Sequence, residues 1–166
     1  MSAAAVMTET SVGSGTRAIP GKYLTFSLAG EEYGVPVLKV REIIKMMAIT
    51  VVPQVPHYVR GVINLRGKVI TVVDLRLKFG FPAQEQTDET AVVVVEVKVD
   101  GGKILMGVVV DSVSDVLNIQ GEEIEDTPAF GDRVATDYLC GMAKVKGRVK
   151  ILLDLDQALG WDAHVA

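Results

Sequence analysis

The residues of this chain with the types and spacing for chemistry are few, and the densest group lies in one strip, NLRGKVITVVDLR, from Asn64 to Arg76. A basic residue beside a glycine, Arg66-Gly67, precedes an apolar run that ends in Asp74. Such a run can present a carboxylate at a strand end, where an enzyme would use it as acid, base or nucleophile. Elsewhere the candidates are isolated. His57 and His164 have no Cys or His companion at metal-ligand spacing, so zinc is not expected. The single cysteine, Cys140, has no patterned histidine beside it and reads as a buried thiol. The Gly13–Gly15 segment GSG has no strand before it and no Lys-Ser/Thr after it, and no nucleophile elbow or dinucleotide fingerprint occurs. Apart from that strip, what remains is a scaffold with informative surfaces.

The elements that position this strip are short and β-rich. Of the 166 residues, 49% are hydrophobic and 23% charged, an ordinary globular balance, with aromatics at only 5%. That balance favours strands filled with β-branched aliphatics over an aromatic ligand cage. The net charge of −4 argues against a nucleic-acid binder, which usually carries a basic face. One cysteine excludes an intramolecular disulfide and suits a reducing compartment. Residues 1–18 are small and polar and read as a disordered tail, and 161–166 as a C-terminal tail. The start has no signal-peptide order, and no apolar run is long enough to span a bilayer, so a cytoplasmic location is expected. Between the tails, runs such as KYLTFSLAG, KVITVVDL and ILMGVVV are broken by turn signals, and VEVKVDGGKILMGVVV reads as a hairpin.

An internal repeat organises these runs. VRGVINLRGKVITVVDLRLKFG (59–80) aligns without gaps on LCGMAKVKGRVKILLDLDQALG (139–160), at an offset of 80 (Gly61 to Gly141). Upstream, GVPVLKVREIIKM (34–46) aligns on GVVVDSVSDVLNI (107–119) at an offset of 73 (Gly34 to Gly107). The second copy therefore has a connection 7 residues longer, within QGEEIEDTPAFGDRVATDY. The expected fold is all-β: two packed or intertwined five-stranded barrels with a few short helices, spanning roughly 19–85 and 86–160.

The repeat assigns roles. Gly67 and Gly147 supply the positive φ of hairpin turns, which project Arg66 and Lys146 into solvent. Asp74 and Asp154 end strands and are expected to cap short helices closed by Gly80 and Gly160. The segment LKVREIIKMM reads as strand, one turn, then strand, with Glu42 at the turn and Asp115 at the turn of its copy. Ile43, Ile44, Met46, Met47 and Ile49 crowd beyond it and read either as core or as an exposed apolar patch for a partner.

These segments carry a family resemblance. YVRGVINLRGKVITVVDLRLKFG, preceded by YGVPVLKVREII and followed by GVVVDSVSDVL and DYLCGM, resembles the CheW-like domains of bacterial chemotaxis coupling proteins, over roughly residues 19–160. The resemblance implies two five-stranded SH3-like β-barrels, no catalytic activity and no cofactor. It implies an adaptor that couples the cytoplasmic tips of transmembrane chemoreceptors (methyl-accepting chemotaxis proteins) to the histidine kinase CheA in arrays beneath the inner membrane. On the matching positions it implies coupling roles for Arg66, Glu42, Gly61, Asn64 and Gly67, an apolar partner surface at Ile43, Ile44 and Ile49, and a second kinase-facing surface at Phe130. Lys144-Val145-Lys146 departs from Asn64-Leu65-Arg66, so receptor contacts are not carried onto the second copy. Two other classes compete: a small β-barrel that binds nucleic acid, and an enzyme using Asp74 or Asp154.

Overall fold

A computed structural model describes residues 18–126 and 138–160. The described residues form eleven strands: β1 (Gly21–Leu28), β2 (Glu31–Pro36), β3 (Val40–Lys45), β4 (Val59–Leu65), β5 (Lys68–Asp74), β6 (Ala91–Val99), β7 (Gly102–Val110), β8 (Ser112–Ile119), β9 (Ile124–Glu125), β10 (Leu139–Val145) and β11 (Arg148–Leu153). Two short helices follow β5 and β11, α1 (Leu75–Lys78) and α2 (Leu155–Leu159). The all-β architecture is the one expected. The hairpin at Asp100-Gly101 is present too, with Val99 opposite Gly102.

The strands form a five-stranded sheet, β3-β6-β7-β5-β4, and a six-stranded sheet, β8-β1-β2-β11-β10-β9. By the sequence repeat, β1 to β5 correspond in turn to β6, β7, β8, β10 and β11. Element for element the two orders are then the same, with one exchange: the hairpin β6–β7 of the second copy sits in the first sheet, and β1–β2 sits in the second. The division expected near residue 85 therefore separates repeats along the chain, not sheets in space. Nothing in the apolar pattern distinguishes a hairpin joined to its own copy from one joined to the other. The sixth strand, β9, has a rudimentary counterpart in a single bridge between Thr50 and Val62. Glu125 opposite Met142 matches Thr50 opposite Val62, an offset of 75. Two of the seven extra residues thus precede β9, beside the 3-10 turn Gly121–Glu123, and five follow it.

The exchange explains the packing. A cluster including Phe26, Tyr33, Val93, Val95, Met106, Val108 and Leu153 lies between the sheets, and each sheet also encloses a smaller cluster of its own. In β6, Val93, Val95 and Val97 face the shared core while Val92 and Val94 face the first sheet's interior. Burial on both faces accounts for the unbroken valine run where a half-exposed strand would alternate. Lys78 marks the junction: its Nζ lies 4.5 Å from the Tyr58 ring centre and 5.4 Å from that of Tyr138, the repeat partner of Tyr58.

Candidate functional site

Arg66 and Gly67 form the two-residue turn between β4 and β5, closed by Leu65 opposite Lys68. Both have positive φ, 52° and 87°, as a type I′ turn requires. Sequence reasoning assigned that geometry to the glycine alone. An L-residue in the left-handed region costs roughly 1–2 kcal/mol, so Arg66 holds its place against a local preference. Asn64 offsets part of this: its Oδ1 accepts the Gly67 N–H at 2.8 Å and pins the turn. Lys146 and Gly147 repeat the turn at φ 53° and 79°, without an asparagine.

From this tip Arg66 reaches Glu42. Its Nη1 donates to Oε2 at 3.1 Å and its Nη2 donates to Oε1, a two-point fork. Glu42 lies within β3, not at a turn as expected. The 3-10 turn comes earlier, at Val37–Lys39, and the irregularity at Arg41 is a bulge, with Val40 opposite Val95 and Glu42 opposite Val94. A bulge re-aims the side chains that follow it. Asp115 likewise lies within β8, beside a bulge at Ser114. Because β3 and β4 are the outermost strands of the five-stranded sheet, the Glu42–Arg66 pair clasps that sheet across its open side. The pair is exposed, at 67% for the Arg66 side chain and 28% for Glu42.

Gly61 packs against the 49–50 segment. Its φ is +140°, and a Cβ there would sit 2.1 Å from the Thr50 carbonyl oxygen and 2.9 Å from Ile49 Cγ2. Its bare backbone admits the 49–50 segment, which pairs with Val62 through hydrogen bonds of 2.8 and 2.9 Å. Ile44 and Ile49 accordingly pack on the first sheet's interior cluster with Met46. Ile43 is 44% exposed, and Met47, Val51 and Val69 are exposed too. Of the crowded isoleucines, Ile44 and Ile49 are thus partly buried and Ile43 is exposed. Phe130 lies outside the described residues.

Asp74 caps α1, as expected: Oδ1 accepts the N–H of Arg76 at 3.0 Å and of Leu77 at 3.5 Å. Asp154 caps α2 by accepting from the Gln157 N–H at 3.2 Å. Gly80 closes α1 at φ +88°, whereas Gly160 stays right-handed at −57°. Asp74 has a second role that sequence reasoning missed. It is buried and accepts from Arg76 Nε at 2.9 Å and Nη2 at 2.8 Å, and from Arg60 Nη1 at 3.4 Å. Arg76 is 2% exposed and also donates to Asp111 Oδ1 at 2.7 Å, while Asp111 Oδ2 accepts the Ala29 N–H at 2.8 Å. Asp111 joins β7 of one sheet to β8 of the other, so one buried arginine ties the sheets together. The hydrogen bonds that Arg76 donates to Asp74 are the main cause that raises the Arg76 pKa, against burial. The second copy has Cys140 and Asp156 in place of Arg60 and Arg76. Asp74 and Asp154 thus serve as caps, and Asp74 belongs to an ion-pair network as well.

Cys140 is half-buried, and its Sγ donates to the Leu152 carbonyl at 3.6 Å. Burial first, and the Asp154 charge second, push its thiol up to about 12, so at neutral pH it is protonated and a poor nucleophile. His57 is exposed and packs edge-on against Tyr58. Among the described residues no group of three His, Cys, Asp or Glu could hold a metal ion, and no helix is long and apolar enough to cross a membrane.

Comparison with known proteins agrees with this geometry. The family described as the CheW-like domain matches residues 22–163. The chemotaxis protein CheW of Klebsiella aerogenes is 38% identical over 138 residues, which cover 83% of this chain and 81% of that protein. That of Rhizobium meliloti is 34% identical, covering 80% and 83%. The crystal structure of the scaffolding protein TtCheW from Thermoanaerobacter tengcongensis superposes with a TM-score of 0.74 at 33% identity, over 85% of this chain and 93% of that one. The chain belongs to the CheW-like domain family, and with it to the non-enzymatic adaptors of bacterial chemotaxis.

Proposed function

We propose that the chain couples the cytoplasmic tips of transmembrane chemoreceptors to the histidine kinase CheA, and that the Glu42–Arg66 clasp is its coupling contact. The observation that carries this reading is an arginine held at a strained turn position, exposed and pre-oriented by a two-point carboxylate contact. A guanidinium fixed in this way loses little entropy when it docks on a partner. In the same reading Asn64, Gly67 and Gly61 build the platform: two shape the tip, and the third seats the 49–50 segment beneath it. Ile43, with Met47 and Val51, supplies apolar area beside the charged pair. The nucleic-acid alternative lacks a stacking platform, because none of the exposed large apolar side chains among the described residues is aromatic.

The test is co-sedimentation with the kinase's regulatory domain, with and without receptor tips. Coupling predicts that the chain bridges the two in one pellet. Binding to neither would overturn the reading.

A further inference from the structure

The second sheet contains the parts of the same clasp, unjoined. Lys146 stands where Arg66 does, and Asp115 where Glu42 does. Neither makes an ion pair with the other or with any described residue. The residue types explain why: aspartate is one methylene shorter than glutamate, and an ammonium has no fork to span both carboxylate oxygens. Between them lies an open cleft of about 300 Å³, lined by residues that include Glu32, Leu117, Val145, Arg148 and Lys150.

The cleft has a consistent chemistry. Leu117 and Val145 give it an apolar floor. Lys150 occupies the repeat position of Ile70, which is buried in the first sheet's interior, and pairs with Glu32 at 3.6 Å. Glu32 in turn accepts from the Ser114 hydroxyl at 2.8 Å. On the rim, Lys146 and Arg148 are exposed cations without partners among the described residues. One wall is β8, the outermost strand of its sheet, hydrogen-bonded on one side only, to β1. An unpaired strand edge recognises extended backbone, and a cationic rim beside it selects acidic side chains. A polyphosphate chain fits less well, because it has no backbone amides to pair with the open edge of β8.

We propose that this cleft takes an extended, acidic segment of a protein partner, laid along β8 with a carboxylate against Lys146 and Arg148. The proposal rests on the adaptor reading in needing a protein partner, but it uses a surface separate from Glu42 and Arg66.

The test uses the full chain and an octapeptide alternating glutamate and valine, with backbone amide resonances as readout. The expected result is shifts confined to β8 and the β10–β11 tip. Lys146→Glu with Arg148→Glu weakens binding at least about tenfold, while Lys68→Glu on the other tip leaves it unchanged. Asp115→Glu with Lys146→Arg, which completes the clasp, also weakens it. A lysine–valine octapeptide, phosphatidylglycerol vesicles and single-stranded oligothymidylate leave these resonances in place. Absent shifts, undiminished binding by the doubly reversed or clasp-completing variant, or equal response to vesicles or oligonucleotide would each overturn the proposal. Because Arg66 is intact throughout, failure here leaves the coupling reading standing, and a loss of coupling on changing Arg66 leaves this cleft untouched.

Discussion

Arg66, at the tip between β4 and β5, holds the Glu42 carboxylate of β3 with both terminal guanidinium nitrogens, so one exposed ion pair links the two outermost strands of the five-stranded sheet. Exposed pairs typically contribute 0.2–1 kcal/mol. Arg66→Ala should therefore lower unfolding free energy by no more than about 1 kcal/mol, part of it returned by the relieved φ strain. Arg66→Gly should be neutral or slightly stabilising in urea unfolding. A loss of several kcal/mol in either variant would mean that the clasp holds the fold together.

The two capping aspartates should separate under the same substitution. Asparagine caps nearly as well as aspartate, so Asp154→Asn should cost less than about 1 kcal/mol. Asp74→Asn leaves buried Arg76 without its main counter-charge and should cost roughly 3 kcal/mol, as should Arg76→Ala. Thermal unfolding of the three variants checks this. Equal small losses at 74 and 154 would show that the network adds nothing to the cap.

Two glycines on one strand–turn unit should also differ. Gly67 has open space around it, so Gly67→Ala should cost only the left-handed penalty of about 1 kcal/mol. Gly61→Ala drives a Cβ into the Thr50 carbonyl and should cost several kcal/mol or displace the 49–50 segment. Hydrogen exchange at the Thr50 and Val62 amides, which pair with each other, reports that displacement directly.

Cys140 gives the pH prediction. Its thiol lies above the ordinary 9.0, at about 12 in the folded state, so folding favours the protonated form. That contribution is complete below pH 9 and is lost as pH rises through about 12. At pH 8 iodoacetamide should modify the folded protein about a hundredfold or more slowly than the urea-unfolded chain. Comparable rates would show an accessible thiolate.

Much of this was legible because the chain carries its fold twice. The turns, strand ends and caps of β4–β5–α1 recur in β10–β11–α2, and agreement between copies separates frame from display. The hairpin exchange was not legible, since β1–β2 presents the same apolar face to either sheet. Glu42 was placed at a turn because a bulge at Arg41 interrupts the alternation just as a turn would. The burial of Arg76 runs against the usual exposure of arginine, and Asp111 lies 35 residues away. One signal did point to it: Arg60 and Arg76 are replaced together, by Cys140 and Asp156, in a repeat that otherwise keeps its frame.

The central claim is that Arg66 is a contact for partners and not a brace for the fold. It is tested most directly by Arg66→Glu in arrays reconstituted from receptor, kinase and this protein, reading kinase activity with and without attractant. The account predicts a folded variant with an unfolding midpoint near that of the unaltered protein and little or no receptor control of the kinase. Full receptor control by a folded Arg66→Glu variant would contradict it.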